Sequence, residues 1–340
     1  MILRARAPLR IGLAGGGTDI SPYCDIHGGS VLNATIDRYA YAVIKTLDEP
    51  VVRFVATDQQ IEEVIAADAL LLFNSKLDLH KAVYMHMVQH FNGGKAIPME
   101  LSTFCDAPIG SGLGASSTLV VVMIRIFSEL LNLQLDDYTI AYLAYKIERV
   151  DCGFQGGRQD QYSAAFGGFN FMEFYADGRA VITQLRIKDW IICELEASLV
   201  LFFTGVSRES GRIIAAQSDN IKRSSDGLEA MHGIKREALV MKECLLSGNF
   251  EGLIESMRQG WENKKRSAKM VSSPHIDEIY DAAIKAGALA GKLSGAGGGG
   301  FMLFFVPTEK RMDVIRALLK FEGQVSNCPF TKYGTQAWRV

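Results

Sequence analysis

Residues 108–118 read P-I-G-S-G-L-G-A-S-S-T and run directly into the apolar string L-V-V-V-M-I at 119–124. Gly110, Gly112 and Gly114 alternate along a loop whose backbone is free to take positive φ or to approach a ligand closely. The apolar string predicts a helix over 115–131. Ala115, Ser116 and Ser117 give its first turn no bulky side chain. A glycine loop feeding a helix N-terminus makes a phosphate site, because unpaired N–H groups converge there and the helix dipole favours negative charge. The hydroxyls of Ser116 and Ser117 add oxygen contacts for an anion or a metal. The stretch is not G-x-x-x-x-G-K-S/T, because no Lys follows the loop, and it lacks the acidic partner about 20 residues on that marks a dinucleotide fingerprint. Taken alone, it also fits a plain glycine-rich helix cap.

Two further glycine motifs flank this one. Residues 7–19 read A-P-L-R-I-G-L-A-G-G-G-T-D, with Arg10 at a strand end and Asp19 after a triple glycine. An aspartate there can accept hydrogen bonds from substrate hydroxyls or cap a turn. Residues 292–301 read K-L-S-G-A-G-G-G-G-F between two strand-like runs, which indicates backbone packed against a ligand or another loop. Glycine makes up 33 of the 340 residues, and it is concentrated in short clusters between apolar segments, unlike a flexible linker.

The rest of the composition narrows the class. Apolar residues are 48%, ordinary for a packed protein, and 36 basic against 38 acidic residues leave a net charge of −2. That balance argues against nucleic acid or an anionic membrane as the main partner. No apolar run approaches the roughly 20 residues of a membrane span, and no signal-peptide core follows the start, so the cytosol is the expected compartment. The six cysteines never form C-x-x-C and read as free thiols. His86 and His90, in H-M-V-Q-H, lack the Glu of a zincin and read as a helix face.

Strands are predicted at 2–8, 30–36, 40–47, 51–57, 99–105, 198–204 and 301–306, with a hairpin of 168–174 and 180–185 about Asp177-Gly178. Helices are predicted at 75–91, from Asp136 or Asp137 to about Val150, and near 209–222, 225–247, 250–266, 275–286 and 308–321. Residues 188–196 read as a polar break. Mixed elements without βαβ repetition give an α+β class in two domains, 1–190 and 191–340.

Together, and in this order, the three motifs resemble those of the GHMP small-molecule kinases. That resemblance implies a ribosomal-protein-like N-terminal ATP-binding domain, a ferredoxin-like C-terminal domain, and Mg²⁺-dependent transfer of the ATP γ-phosphoryl group to a small-molecule hydroxyl in the cleft between them. The family's helix-start motif, P-x-G-x-G-L-G-S-S-A, is matched by Pro108, Gly110, Gly112, Leu113 and Gly114. With Ser111, Ala115, Ser116 and Ser117, these residues would wrap the phosphates. Ala115 departs from the usual Ser, which leaves Ser116 and Ser117 both open as the metal-binding hydroxyl, with Ser116 the closer match. Residues 147–161 read I-E-R-V-D-C-G-F-Q-G-G-R-Q-D-Q, where Glu148 matches the family's metal-ligating Glu and Asp160 its catalytic Asp. Arg10 matches the basic residue that stands near that Asp. A carboxylate beside an arginine is a weak base, so its expected role is to orient the hydroxyl and collect its proton late.

The resemblance also bears on the acceptor. Galactokinases read G-E-H-T-D where this chain has Gly15, Gly16, Gly17, Thr18 and Asp19. G-G-G-T-D is most similar to bacterial D-glycero-D-manno-heptose 7-phosphate kinases, which phosphorylate the anomeric hydroxyl. This implies a sugar phosphate contacted by Gly16, Gly17, Thr18 and Asp19, and by Gly295 and Gly297 of the third motif. The distal phosphate needs a cation. Arg208 in T-G-V-S-R-E-S is the favoured candidate, whereas Lys264, Lys265 and Arg266 read as a solvated helix end. A kinase of another sugar, fucose or galactose, and a non-catalytic sugar and ATP sensor remain alternatives. A related decarboxylase would need cations that the first motif does not supply. A homodimer is left open.

Overall fold

A computed structural model describes every residue except Leu70, Ile109 and 207–209. In chain order the elements are β1 (Ile2–Ala14), α1 (Tyr23–His27), β2 (Gly29–Thr46), β3 (Val51–Ala56), β4 (Ile61–Ala66), α2 (Asp78–Phe91), β5 (Met99–Cys105), α3 (Ala115–Leu130), α4 (Asp137–Tyr145), α5 (Gln159–Phe166), β6 (Phe169–Phe174) and β7 (Ala180–Gln184). Then come α6 (Asp189–Ser198), β8 (Leu199–Phe203), α7 (Ser210–Arg223), α8 (Ser225–Ser247), α9 (Phe250–Ser267), α10 (Pro274–Ala286), β9 (Ala290–Leu293), β10 (Phe301–Phe305), α11 (Arg311–Leu318), β11 (Gln324–Ser326) and β12 (Gln336–Arg339).

The α+β expectation holds. One sheet runs β12-β1-β2-β5-β3-β4, with β6 on the first half of β2 and β7 beyond it. A smaller antiparallel sheet runs β11-β8-β10-β9. Strands through Gln184 lie in the large sheet and those from 199 to 326 in the small one. β12 is the exception to a division near 190, because it returns from the second half to pair with β1.

β1 carries the site. Its first residues alternate in burial and its second half is wholly buried. Leu9, Ile11 and Leu13 point into a core shared with Ile191, Leu195, Leu201 and Met241, which packs the two sheets' elements together. By the two-residue period of a strand, Arg10 then faces the opposite side. Between Pro8–Tyr39 and Arg10–Thr35 the pairing with β2 shifts register. Such an irregularity bends the pair and re-aims side chains.

Two expectations are corrected. The strands read at 30–36 and 40–47 are one 18-residue strand that spans this irregularity and pairs with β6 and then with β5. The polar break at 188–196 is helix α6, whose Ile191, Leu195 and Ser198 form one buried stripe. Among the described residues, no helix is long and apolar enough to cross a membrane.

Candidate active site

A cleft of about 800 Å³ is lined by residues from all three motifs and from the segment around Glu148 and Asp160. Arg10 is 4% exposed. Its Nε donates to Asp160 Oδ1 at 2.7 Å, and Nη2 reaches the same oxygen at 2.5 Å. Nη1 donates to the Gly112 carbonyl at 2.5 Å. The guanidinium therefore ties the aspartate in the first turn of α5 to the glycine loop. Both charged contacts fall on Oδ1, so Oδ2 has no part in this pair.

Gly110, Gly112 and Gly114 all have φ near +80°. At Gly112 no other residue fits, and at Gly114 a side chain would be tight. A Cβ on Gly112 would overlap the Ser294 carbonyl, and one on Gly114 would lie 3.1 Å from Asp160 Cγ. The third motif is the second motif's packing partner: Cβ-less Gly295 sits directly against Gly112, and Phe301 N donates to Ser111 O. Ser294 Oγ donates to Gly112 O at 2.9 Å and accepts from Gly12 N at 3.2 Å, linking all three.

After α4 the helix widens into a π-turn at Lys146–Asp151. Such turns recur at functional sites, where they displace one residue from the helical face. Here the turn contains Glu148, fully buried, which accepts from Ser116 Oγ at 2.8 Å, Ser117 Oγ at 2.7 Å and Gln161 Nε2 at 2.7 Å. Both serines border the cleft; Ser117 Oγ is also approached by Arg149 and Gln161, whereas among the described residues Ser116 Oγ bonds to Glu148 alone. One carboxylate and the hydroxyl bonded to it, beside the glycine loop, fit Mg²⁺, which takes one or two carboxylates and completes its shell with phosphate oxygens and water. Ser116 and Glu148 are the residues that could hold it. Among the described residues there is no cluster of three His, Cys, Asp or Glu, as a protein-caged metal would need.

The other expected site residues separate by position. Ala115, Ser116, Ser117, Gly17, Asp19 and Gly295 line the cleft. Pro108 is exposed, and Leu113 is buried in the core between the sheets, its carbonyl accepting from Arg10 N. Ser111 is buried, and among the described residues its Oγ has no hydrogen-bond partner. Gly16 borders a second, water-sized cavity of about 30 Å³ behind the loop. Thr18 is fully buried, and its hydroxyl bonds to Gly15 O and Ser30 O, so it shapes the loop. Gly297 packs against Val271. Arg208 lies outside the described residues.

Asp19 is 1% exposed and accepts four N–H donors: Gly17 N, Arg158 N, Gln159 N and Gln159 Nε2, at 2.9–3.1 Å. A carboxylate offers about four lone-pair sites, so these are filled. It caps the start of α5 and thereby fixes Asp160 one residue further on.

The sequence reading passed over Arg149, Gln161 and Ser294, which hold Glu148, Ser117 and Arg10. It also took Lys264 for a solvated residue. Lys264 is 8% exposed, lines the cleft, and donates to Gly16 O at 2.8 Å. Burial lowers its pKa to about 8, with Asp19 pulling it back up and Arg10 pushing it down. Lys292, whose amine donates to the carbonyls of Gly12 and Leu13, is lowered to about 7 by burial and by the charges of Lys264 and Arg10.

The model of the GHMP kinases N terminal domain matches residues 78–168, and that of the GHMP kinases C terminal domain matches 241–323. A Campylobacter jejuni protein described as D-glycero-alpha-D-manno-heptose 7-phosphate kinase is 46% identical over 338 residues, 99% of each chain. The crystal structure of a D-glycero-D-manno-heptose 1-phosphate kinase from Bacteroides thetaiotaomicron superposes with a TM-score of 0.85 at 40% identity, covering 99% of both chains. The L-fucokinase/L-fucose-1-P guanylyltransferase of Bacteroides fragilis is 26% identical over 94% of this chain and 36% of that protein. The chain belongs to the GHMP kinases, phosphotransferases that act on hydroxyl groups.

Proposed function

We propose that this protein phosphorylates the anomeric hydroxyl of a heptose 7-phosphate with ATP and Mg²⁺. The observation that carries the reading is the Arg10–Asp160 pair, bonded to the glycine loop at Gly112 and packed against Gly114. An acceptor hydroxyl at Asp160 would lie beside the place the loop prepares for a polyphosphate. The names of two relatives agree on a heptose phosphate, which supports the acceptor class. The cleft's cations, Arg10, Arg149, Arg212 and Lys264, suit a site that takes two phosphorylated ligands.

Bound Mg²⁺–ATP supplies the phosphoryl group and neutralises part of its charge. The protein's share is positioning and electrostatics. The loop N–H groups and the N-terminus of α3 would hold the phosphates, and Ser116 and Glu148 would hold the metal. Arg10, held beside the glycine loop by its bonds to Gly112 O and Asp160, would offset charge that develops on the transferring group. Asp160 keeps Oδ1 on Arg10 and turns Oδ2 to the acceptor hydroxyl. As the bond from the acceptor oxygen to the γ-phosphorus forms, the bond from that phosphorus to the β,γ-bridging oxygen breaks and ADP leaves, while the hydroxyl proton passes to Oδ2. Capping by Asp19 and the Gly112–Gly295 packing keep this geometry fixed.

The test is ADP release by the purified protein over a panel of hexoses, heptoses and their phosphates. Heptose 7-phosphate should give the highest kcat/KM. A higher value for an unphosphorylated sugar would discard the acceptor reading and leave the sugar kinase.

A further inference from the structure

A metal at Ser116 and Glu148 rests on the reading above, and the contacts around Glu148 bring in one more residue. Glu148 is fully buried, where a carboxylate without a counter-charge is costly. Among the described residues, one cation lies within 4 Å of it: Arg149, whose Nη1 is 3.3 Å from Oε1. The two are neighbours in sequence, and on a regular helix adjacent side chains do not face each other. In the π-turn at Lys146–Asp151 they meet, beside the first turn of α3, where Arg149 Nη2 donates to Ser117 Oγ at 3.1 Å. The two carboxylate oxygens are used differently. Oε2 accepts from Ser117 Oγ and Gln161 Nε2, both at 2.7 Å. Oε1 carries Ser116 Oγ and Arg149 Nη1, so the hydroxyl suited to the metal and the guanidinium share one oxygen.

Arg149 is built into the cleft wall. Its side chain is 13% exposed. Nη1 also donates to Gln155 O at 3.2 Å, and Nε donates to Gly157 O at 3.4 Å. A Cβ on Gly156 would overlap the guanidinium, so the chain lies flat against it only as glycine. On the other side, a Cβ on Gly157 would overlap Asp19 Oδ2, which accepts from Gln159 N at the start of α5. Residues 155–157 are thus clamped between Arg149 and Asp19, just ahead of Asp160. The fork of donors on the guanidinium fills this place from several sides, as a point charge could not. We propose that Arg149 is a positioning residue: it is the standing counter-ion of Glu148, and it holds on Oε1 the place that the metal takes. It keeps the buried carboxylate paired and aimed at Ser116 until Mg²⁺ with ATP supplies the charge.

The experiment is a set of thermal melts of the wild type, Arg149→Met, Glu148→Gln and the double variant, each in EDTA and in millimolar Mg²⁺. No sugar or nucleotide is present, so the sugar panel alone decides the acceptor and the melts alone decide the role of Arg149. In EDTA, Arg149→Met should melt about 5–10 °C below the wild type, the scale of a buried ion pair broken on one side. On the Glu148→Gln background the same substitution should cost less than half as much, because no carboxylate is left unpaired. Mg²⁺ should restore at least half of the loss in Arg149→Met, raise the wild type by less, and leave the double variant unchanged. Equal losses on the two backgrounds would make Arg149 only a brace for residues 155–157 and overturn the proposal. A Mg²⁺ shift in Arg149→Met no larger than that of the wild type would also overturn it. If Arg149→Met does not fold, the double variant decides: it should fold and melt near Glu148→Gln, and its failure to fold overturns the proposal.

Discussion

Asp160→Asn separates the catalytic role of this carboxylate from its structural one. Both guanidinium contacts of Arg10 fall on Oδ1, and the amide oxygen of an asparagine can take them over. Arg10 then stays hydrogen-bonded, to a neutral amide oxygen instead of a carboxylate, a change of about 1–2 kcal/mol in stability. The other oxygen becomes an NH₂ group, which cannot take the hydroxyl's proton. Loss of a positioned proton acceptor costs roughly 10²–10⁴-fold in turnover, or about 3–5 kcal/mol at 1.36 kcal/mol per decade. The phosphate loop and the Ser116–Glu148 pair are untouched, so ATP should bind with wild-type affinity. Turnover is read from ADP release, ATP binding from titration calorimetry, and stability from thermal melts. A kcat within about threefold of wild type would remove Asp160 from the chemistry. A collapse in ATP affinity would show that the ion pair mainly builds the loop.

Other substitutions probe the frame around this pair. Gly112→Ala should lose roughly 2–5 kcal/mol, from about 1–2 for the left-handed backbone and 1–3 for overlap with the Ser294 carbonyl. Gly178→Ala, with φ +86° but no atom within 4 Å of its Cβ position, should lose only the first part in the same urea melts, and equal losses would refute the interlock of the second and third motifs. Glu148→Gln should raise the Mg²⁺ concentration for half-maximal rate at least tenfold, and an unchanged Mg²⁺ titration would exclude Glu148 as a ligand. Lys264 has a folded pKa of about 8 against about 10.5 unfolded, so the folded state binds fewer protons between those values and its stability penalty grows as pH falls from about 10.5 to about 8 and is constant below. Lys264→Met should therefore gain up to about 3 kcal/mol over wild type at pH 7 and progressively less toward pH 10, and a pH-independent difference would contradict the buried charge.

Much of the site was legible because its signals are local. The alternating glycines before an apolar helix need only spacing and residue type, Glu148 and Arg10 were singled out by the resemblance of their motifs to those of the GHMP kinases, and the fold brings them to one cleft. What was missed depends on tertiary contacts. Thr18 reads equally well as a ligand or as a loop brace, and only Ser30 across the turn decides it. Asp19 read equally as an acceptor for substrate hydroxyls or as a turn cap, and the four donors it meets come from its own loop and from the start of α5. Lys264 was hidden in an N-K-K-R-S run resembling a solvated end, although Leu253, Met257, Trp261 and Lys264 recur at helical spacing along one buried face. Helix α6 carried a similar signal in Ile191, Leu195 and Ser198, masked by its acidic residues. The joined strand β2 had no such signal, because only the sheet on both sides bridges its exposed Asp37.

The anomeric hydroxyl as the reacting group is tested most directly by phosphorus NMR of the product made from heptose 7-phosphate and ATP. The Arg10–Asp160 geometry with this acceptor predicts a second phosphate, coupled to the proton on C1, beside the retained 7-phosphate. A new phosphate coupled to any other carbon's proton, or a 7-phosphate that never gains a partner, would contradict it.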